Sequence, residues 1–313
     1  MSGKLFAGLA VLIIAIGGFF YFTKGSAPDT TNKTAKTAIV IKGSDTEVQL
    51  VSAIAEAFNA TNTAADISVT GGGSGTGIAA LLNGEIDIAN SSRTLKDEEK
   101  ATASSKNMDI REFVLARDGL TIIVHPTNTV KTLTVDQLGK IYRGQIKDWK
   151  EVGGKAGKII LYGRQSTSGT FTFFRDTILK ADYAESMRQM EGNQAIVDGV
   201  KADTAGIGYV GVGYAKDESG KARSDLKVVL IKKDAKSDAI SPLNKEAVLS
   251  GKYPIFRPIY QYIKQTPAKD SVIAQFLHYE ASAEGQALVE KTGFYNTTAE
   301  DSAKNKAFFD SLK

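Results

Sequence analysis

Three short stretches of this chain concentrate glycine with small hydroxyl residues: Gly43-Ser44-Asp45-Thr46, Gly73-Ser74-Gly75-Thr76-Gly77 and Ser166-Thr167-Ser168-Gly169-Thr170. Each follows an apolar run that reads as a strand and opens a pattern that reads as a helix. The first N–H groups of a helix have no partner within it and carry the positive end of the helix dipole, so each position is suited to an anion. Ser and Thr add hydroxyl donors, while Gly lets backbone amides approach a ligand. One such stretch is most simply a capped helix after a tight turn. Three in one chain, with Arg164 beside the third, point to a small oxyanion. The Arg164 guanidinium is a planar fork that matches two oxygens of a tetrahedral anion.

These stretches need elements that bring them together. Ala38–Lys42 reads as a buried strand, followed by an amphipathic helix from Thr46 to about Asn59 with its N-terminus at Ser44-Asp45. Ile67–Thr70 reads as strand, Gly71–Gly77 as glycine loop, Ile78–Asn83 as short helix and Ile86–Ala89 as strand. Strand, loop and helix thus repeat, the pattern of a sheet covered by helices. Phe113–Ala116 and Leu120–Val124 flank Arg117-Asp118-Gly119, a natural place to cross into a second domain. Further on, the pattern predicts a helix over Leu133–Tyr142, a strand over Ile159–Tyr162 feeding Gly163–Thr170, and a helix over Phe171–Leu179. Strands follow at Ile207–Val210 and Val228–Ile231, with Lys216–Asp225 as a polar loop between them. Lys245–Ser250 is a short helix, Pro254–Tyr260 an extended return, and Val272–Lys291 and Ala299–Leu312 are closing helices.

Composition narrows the classes. The 313 residues are 42% hydrophobic and 24% charged, ordinary globular values with room for two domains. Cysteine is absent, which excludes disulfides, thiolate metal sites, a thiol nucleophile and a lipid-bearing cysteine. A net charge of +4 from 39 basic and 35 acidic residues is too mild and too mixed for a nucleic-acid partner. No Asp, Glu or His grouping has metal-ligand spacing. Gly73 and Gly75 fail the dinucleotide spacing because Ile78 occupies the position of the third glycine, and Gly75-Thr76-Gly77-Ile78-Ala79-Ala80 fits only its looser form. There is neither a P-loop Gly-Lys-Ser/Thr nor a G-x-S-x-G. His125 and His278, the only histidines, sit in strand and helix patterns as structural residues.

At the N-terminus, Leu5–Phe22 runs without a charge and as a helix would span about 27 Å, enough for a bilayer core. It is longer than the apolar region of a typical signal peptide, and Pro28 stands just after the nearest small-residue cleavage site. An uncleaved anchor or a signal segment over 1–23, followed by a solvated linker over 24–37, is the expectation.

Taken in order, these motifs resemble the phosphate-binding proteins of ABC-type phosphate importers, the PstS family. The resemblance is carried by Gly-Ser-Asp-Thr after the first strand, by Gly71–Ile78, by Asp87-Ile88-Ala89-Asn90-Ser91-Ser92-Arg93 and by Leu133–Leu138. Ile146-Lys147-Asp148-Trp149, Gly163–Thr170 and Gly206–Val210 continue it to the C-terminal part of the chain.

It implies an α/β, two-lobed periplasmic-binding-protein-like fold of type II, preceded by the apolar helix. Residues 38–117 plus 257–313 would form one lobe and 118–256 the other. It implies capture of inorganic phosphate between the lobes, without catalysis or cofactor, and delivery to a membrane permease by an extracytoplasmic monomer tethered through residues 5–22. Matching the motifs assigns phosphate contacts to Asp45, Thr46, Ser74, Gly75, Thr76, Ser92, Arg164, Ser168, Gly169 and Thr170, with Ser44 and Arg93 as additional candidates. At the Ser92 position well-known members carry an aspartate, which accepts the proton that phosphate bears and sulfate lacks. With Ser92 there, Asp45 is the expected acceptor, against a plainer role as helix N-cap. Arg93 is either a second cationic ligand or an exposed partner of Asp97. The alternatives are a receptor for another oxyanion, such as sulfate or molybdate, and a membrane-displayed phosphate sensor or adhesion module. Trp149, Tyr209 and Tyr214 are core residues or cleft lining.

Overall fold

The computed structural model describes residues 36–217 and 219–312. The expected leader and residues 24–35 of the linker lie outside this range. Among the described residues no helix is long and apolar enough to cross a membrane.

β1 (Thr37–Gly43) buries Ile39 and Ile41 and takes in Thr37, where the linker was expected to end. α1 (Val48–Thr61) packs Leu50, Val51, Ile54 and Phe58 onto that face, and β2 (Ala65–Thr70) returns parallel to β1. The helix starts later than expected. Its cap position is Glu47, with no side-chain cap, because Ser44 and Asp45 are drawn into other bonds described below.

α2 (Ser74–Leu82) also differs from expectation: the loop is only Gly71–Gly73, and Ser74 to Gly77 form the first turn of the helix. The reason is that the glycines do two different jobs. Gly72 and Gly73 have φ of 110° and 96°, open to glycine but strained for other residues, whereas Gly77 is helical and lets the helix lie on β1. A side chain at Gly77 would clash with the Lys42 carbonyl and stand 2.6 Å from Gly43 Cα. β3 (Ile88–Ser91), α3 (Asp97–Ser105) and β4 (Arg111–Gly119) follow. The sequence pattern missed α3 because it buries only Ala103 and has almost no apolar face.

Only Leu120 separates β4 from β5 (Thr121–Val124), the first strand of a second sheet. The expected helix over Leu133–Tyr142 divides into β6 (Thr132–Thr134) and α4 (Val135–Tyr142), since the Thr134 hydroxyl caps the helix by accepting from Gln137 N–H at 3.1 Å. β7 (Ile160–Arg164) leads into α5 (Gly169–Phe174), which a π-helical turn extends to Leu179. β8 (Arg188–Met190) and α6 (Gly192–Ala202) were not expected; β9 (Gly206–Val210) was. The single strand expected at Val228–Ile231 is two, β10 (Lys227–Val228) and β11 (Leu230–Lys232), paired with β5 and β6 in separate sheets. α7 (Lys245–Leu249) precedes β12 (Phe256–Ile263), which rejoins the first sheet. The long closing helix is broken into α8 (Val272–Ala281) and α9 (Ala283–Lys291) by Ser282, whose hydroxyl caps α9. α10 (Ala299–Asp310) ends the described chain.

The first sheet runs β2-β1-β3-β12-β4 and the second β10-β5-β9-β7-β8, with β6 and β11 as a two-stranded pair. β1, β2 and β3 are parallel, as are β7, β8 and β9. The loops after β1, β3 and β7 therefore leave from carboxyl ends of parallel strands, the usual place for a ligand in such sheets.

Candidate functional site

The three glycine-hydroxyl stretches and the turn after β3 converge. Ser44 Oγ donates to Ser92 Oγ at 3.0 Å, and Thr46 Oγ1 meets Thr170 Oγ1 at 3.0 Å. Ser92 Oγ lies 3.4 Å from both Ser74 Oγ and Thr170 Oγ1, and its own N–H donates to Ser74 Oγ at 3.1 Å. Five hydroxyl groups from both sheets thus form one buried knot. Gly169 completes it by being small: a Cβ there would clash with Ser74 Oγ and stand 2.8 Å from Ser92 Oγ. Gly75 N–H donates to the Thr167 carbonyl at 2.9 Å, so the loop before α5 touches the first turn of α2 directly.

Two arginines flank the knot. Arg164 is fully buried at the end of β7, and its Nη2 donates to Asp45 Oδ2 in a close ion pair. Its Nη1 has no partner among the described residues. Burial pulls its pKa below the usual guanidinium value, and Asp45 opposes that shift. Asp45 is held in turn: its Oδ1 accepts from Gly72 N–H at 2.8 Å and its carbonyl from Tyr214 Oη at 2.9 Å. Asp45 therefore does not cap α1. It fixes Arg164, because a buried guanidinium left without a partner carboxylate costs more than a helix end left without a side-chain cap.

Arg257 is the second cation, and sequence reasoning missed it. From β12 its Nη2 donates to Thr170 Oγ1 at 3.0 Å and its Nη1 to the Ser92 carbonyl at 3.0 Å. Nε and Nη2 both reach Asp118 Oδ2 of β4, at 3.1 and 2.8 Å. The available signal was a charged residue in each of the two runs already read as crossings, Arg117-Asp118-Gly119 and Pro254–Tyr260. Asn193 at the start of α6 was also missed; its Nδ2 reaches Thr46 Oγ1 at 3.5 Å.

Other expected residues stand apart from the knot or support it. Ser168 caps α5, its Oγ accepting from Thr170 N–H at 3.2 Å and Phe171 N–H at 3.4 Å. The Thr76 hydroxyl turns back to the Gly72 carbonyl at 2.8 Å and does not join the knot. Arg93 is buried and paired in bidentate fashion with Glu99, at 2.6 and 2.7 Å, so it is not an exposed partner of Asp97. Together with Lys96, Lys100, Phe173, Arg257 and Tyr260 it lines an open cavity of about 580 Å³. Tyr209 belongs to the core, its hydroxyl accepting from Arg164 N–H at 3.0 Å; burial pushes its pKa up to about 12. Trp149 is buried, with its indole N–H donating to the Ala205 carbonyl. His125 bonds Thr127 Oγ1 and His278 stacks on Phe309, so neither reaches the knot.

A buried group of hydroxyls and arginine donors, enclosed by loops from two α/β sheets, defines a binding protein for a small anion. Residues 28–284 match the model of the PBP superfamily domain. The chain is 31% identical to the phosphate-binding protein PstS of Staphylococcus haemolyticus, over all of this chain and 95% of that protein. It is 32% identical to PstS of Staphylococcus epidermidis, covering 94% and 87% of the two chains. It belongs to the PstS family within that superfamily. Among solved structures it resembles a Clostridium perfringens protein described as a phosphate ABC transporter substrate-binding protein with bound phosphate. That match has a TM-score of 0.72 at 27% identity and covers 84% of this chain and all of that one. An ABC-type phosphate transport receptor from Vibrio cholerae matches with a TM-score of 0.66 at 28% identity, over 83% of this chain and all of that one.

Proposed function

We propose that this chain captures inorganic phosphate and hands it to an ABC-type permease, making and breaking no bond. The observation that carries the reading is the buried knot of Ser44, Thr46, Ser74, Ser92 and Thr170 beside Arg257 and the Arg164–Asp45 pair, a site rich in donors for a tetrahedral anion. In this reading residues 38–117 plus 257–313 form one lobe and 118–256 the other, and they close on the anion. Hydroxyls, the amide of Gly169 and Arg164 replace its hydration shell, while Gly75, whose N–H goes to the Thr167 carbonyl, holds the neighbouring loop in place. Closure is favoured to the extent that the anion binds the closed form better than the open one. Ser168 contributes by holding the first turn of α5. Asp45 orients Arg164 and accepts the proton of a protonated anion through the lone pairs that Arg164 and Gly72 leave free. Ser92 acts as a donor.

The protein would work outside the cytoplasmic membrane as a monomer, tethered through residues 5–22. Its PstS relatives and the bound phosphate of the Clostridium perfringens structure support the choice of ligand. Titration calorimetry of the full chain against phosphate, arsenate, sulfate and molybdate tests it. Phosphate should bind at micromolar concentrations or below and sulfate far more weakly. Preference for sulfate or molybdate would replace phosphate with that anion.

A further inference from the structure

Glu47 immediately follows Thr46, is fully buried, and neither oxygen of its carboxyl group has a partner at hydrogen-bond geometry among the described residues. The groups that face it are the Ser44 hydroxyl from its own loop, Arg257 from β12, Asp118 from β4 and Glu280 from α8. Arg257 is already committed to Asp118, the Ser92 carbonyl and Thr170. Glu280 is equally buried, with one oxygen accepting from Gln261 at 3.0 Å and the other unpartnered. Glu47 therefore shares a buried interior with two further carboxyl groups, Asp118 and Glu280, and of the three only Asp118 is hydrogen-bonded to the Arg257 guanidinium. An ionised carboxylate in the position of Glu47 would be an unpaired buried charge beside a site meant for an anion.

Resting on the phosphate reading above, we propose that Glu47 is an affinity-determining residue of the anion site. It stands behind the hydroxyl knot as a neutral carboxylic acid, and the anion is released when it ionises. As an acid it has a proton to direct at the Ser44 hydroxyl beside it. Ser44 donates to Ser92 at 3.0 Å, so the chain of donors runs from Glu47 through Ser44 and Ser92 toward the anion. Such chains strengthen each member by polarisation. Ionisation reverses the first donor and adds a like charge behind the ligand. Burial is the chief force holding this carboxyl well above the ordinary glutamate range; Glu280 and Asp118 add to it, while Ser44 and Arg257 oppose it.

The test measures phosphate affinity of the full chain and of Glu47→Gln from acid to alkaline pH. The variant keeps the shape and a donor but has nothing to ionise, so it reports the titration of phosphate itself. The wild-type Kd should rise above that baseline by up to about tenfold per pH unit once Glu47 ionises. Superimposable profiles overturn the inference while leaving phosphate binding in place. Absence of phosphate binding by both proteins at every pH overturns the functional reading and this inference with it. Should Glu47→Gln not fold, infrared spectra of Glu280→Gln, which lacks the other buried neutral carboxyl, decide. Its buried carboxylic-acid band must fade with rising pH in step with loss of affinity, and a band that does not track affinity overturns the inference.

Discussion

Arg257 and Asp118 face each other in register on β12 and β4, and two guanidinium nitrogens close on one carboxylate oxygen at 2.8 and 3.1 Å with both side chains buried. These are the strands at which the chain leaves the first sheet and returns to it. The same guanidinium touches Ser92 and Thr170, so the crossing strands and the hydroxyl knot share one cation. The other oxygen of Asp118 accepts from Val212 N–H at 2.8 Å, beyond the end of β9.

Arg257→Met should therefore destabilise the fold by about 3–5 kcal/mol, the cost of leaving a buried carboxylate unpaired. Urea denaturation measures it. Adding Asp118→Asn should recover part of the loss, since the orphaned charge is then gone. A double variant as unstable as the two single losses combined would mean the residues do not act as a pair.

Gly169→Ala should fold normally, because the residue has no positive φ and opens a helix. The added methyl group occupies the space between Ser74 and Ser92. Phosphate affinity should fall roughly 100-fold, an overpacking penalty of up to about 3 kcal/mol expressed in binding. Calorimetry beside a thermal melt separates the two effects, and unchanged affinity would place the anion elsewhere.

Arg164→Gln removes charge-assisted donors that are worth about 1.5–3 kcal/mol, so phosphate should bind roughly 10–100 times more weakly. Asp45→Asn should weaken phosphate too, but leave sulfate less affected, since only phosphate offers a proton to the lost carboxylate. Equal losses for both anions would reduce Asp45 to a support for Arg164.

Glu280 supplies a stability test without ligand. Burial raises its carboxyl well above the ordinary glutamate value of 4.5, with the Gln261 hydrogen bond opposing. The folded chain then keeps a proton that the unfolded chain has released above that value. Folding takes up a proton, and stability falls as pH rises from about 4.5 toward the folded pKa. Glu280→Gln should flatten this decline, so the variant gains on the wild type in melts recorded at successively higher pH. Parallel curves would show that Glu280 ionises freely.

The parts of this molecule that were legible in its residues are those set by periodicity and glycine chemistry. β1, α1, β2, α5 and β9 follow from apolar spacing, and Ser44, Thr46, Ser74 and Thr170 of the knot stood out as hydroxyls beside glycine at strand ends, whereas Ser92 came only through the family resemblance. What escaped was set by distant partners. α3 and β8 have little apolar face of their own, and β10 and β11 are one run divided between two sheets. Arg257 and Glu47 looked like ordinary charges in extended and helical patterns. Their roles come from burial, which depends on segments far away in the chain, Ser92 and Thr170 for one and Glu280 for the other.

The bond from Gly75 N–H to the Thr167 carbonyl also bears on timing. It is a backbone link between loops of the two sheets, with Gly73 packed so tightly against Thr167 that a Cβ would stand 2.6 Å from its carbonyl oxygen. In the reading proposed above, lobes that close on the ion also make this bond, and they must break it before the ion can leave. Escape of a captured ion then waits on a contact that the ion itself does not touch. Thr167 and the two glycines become places at which the residence time of the ion can be adjusted without altering the hydroxyls and arginines that hold it.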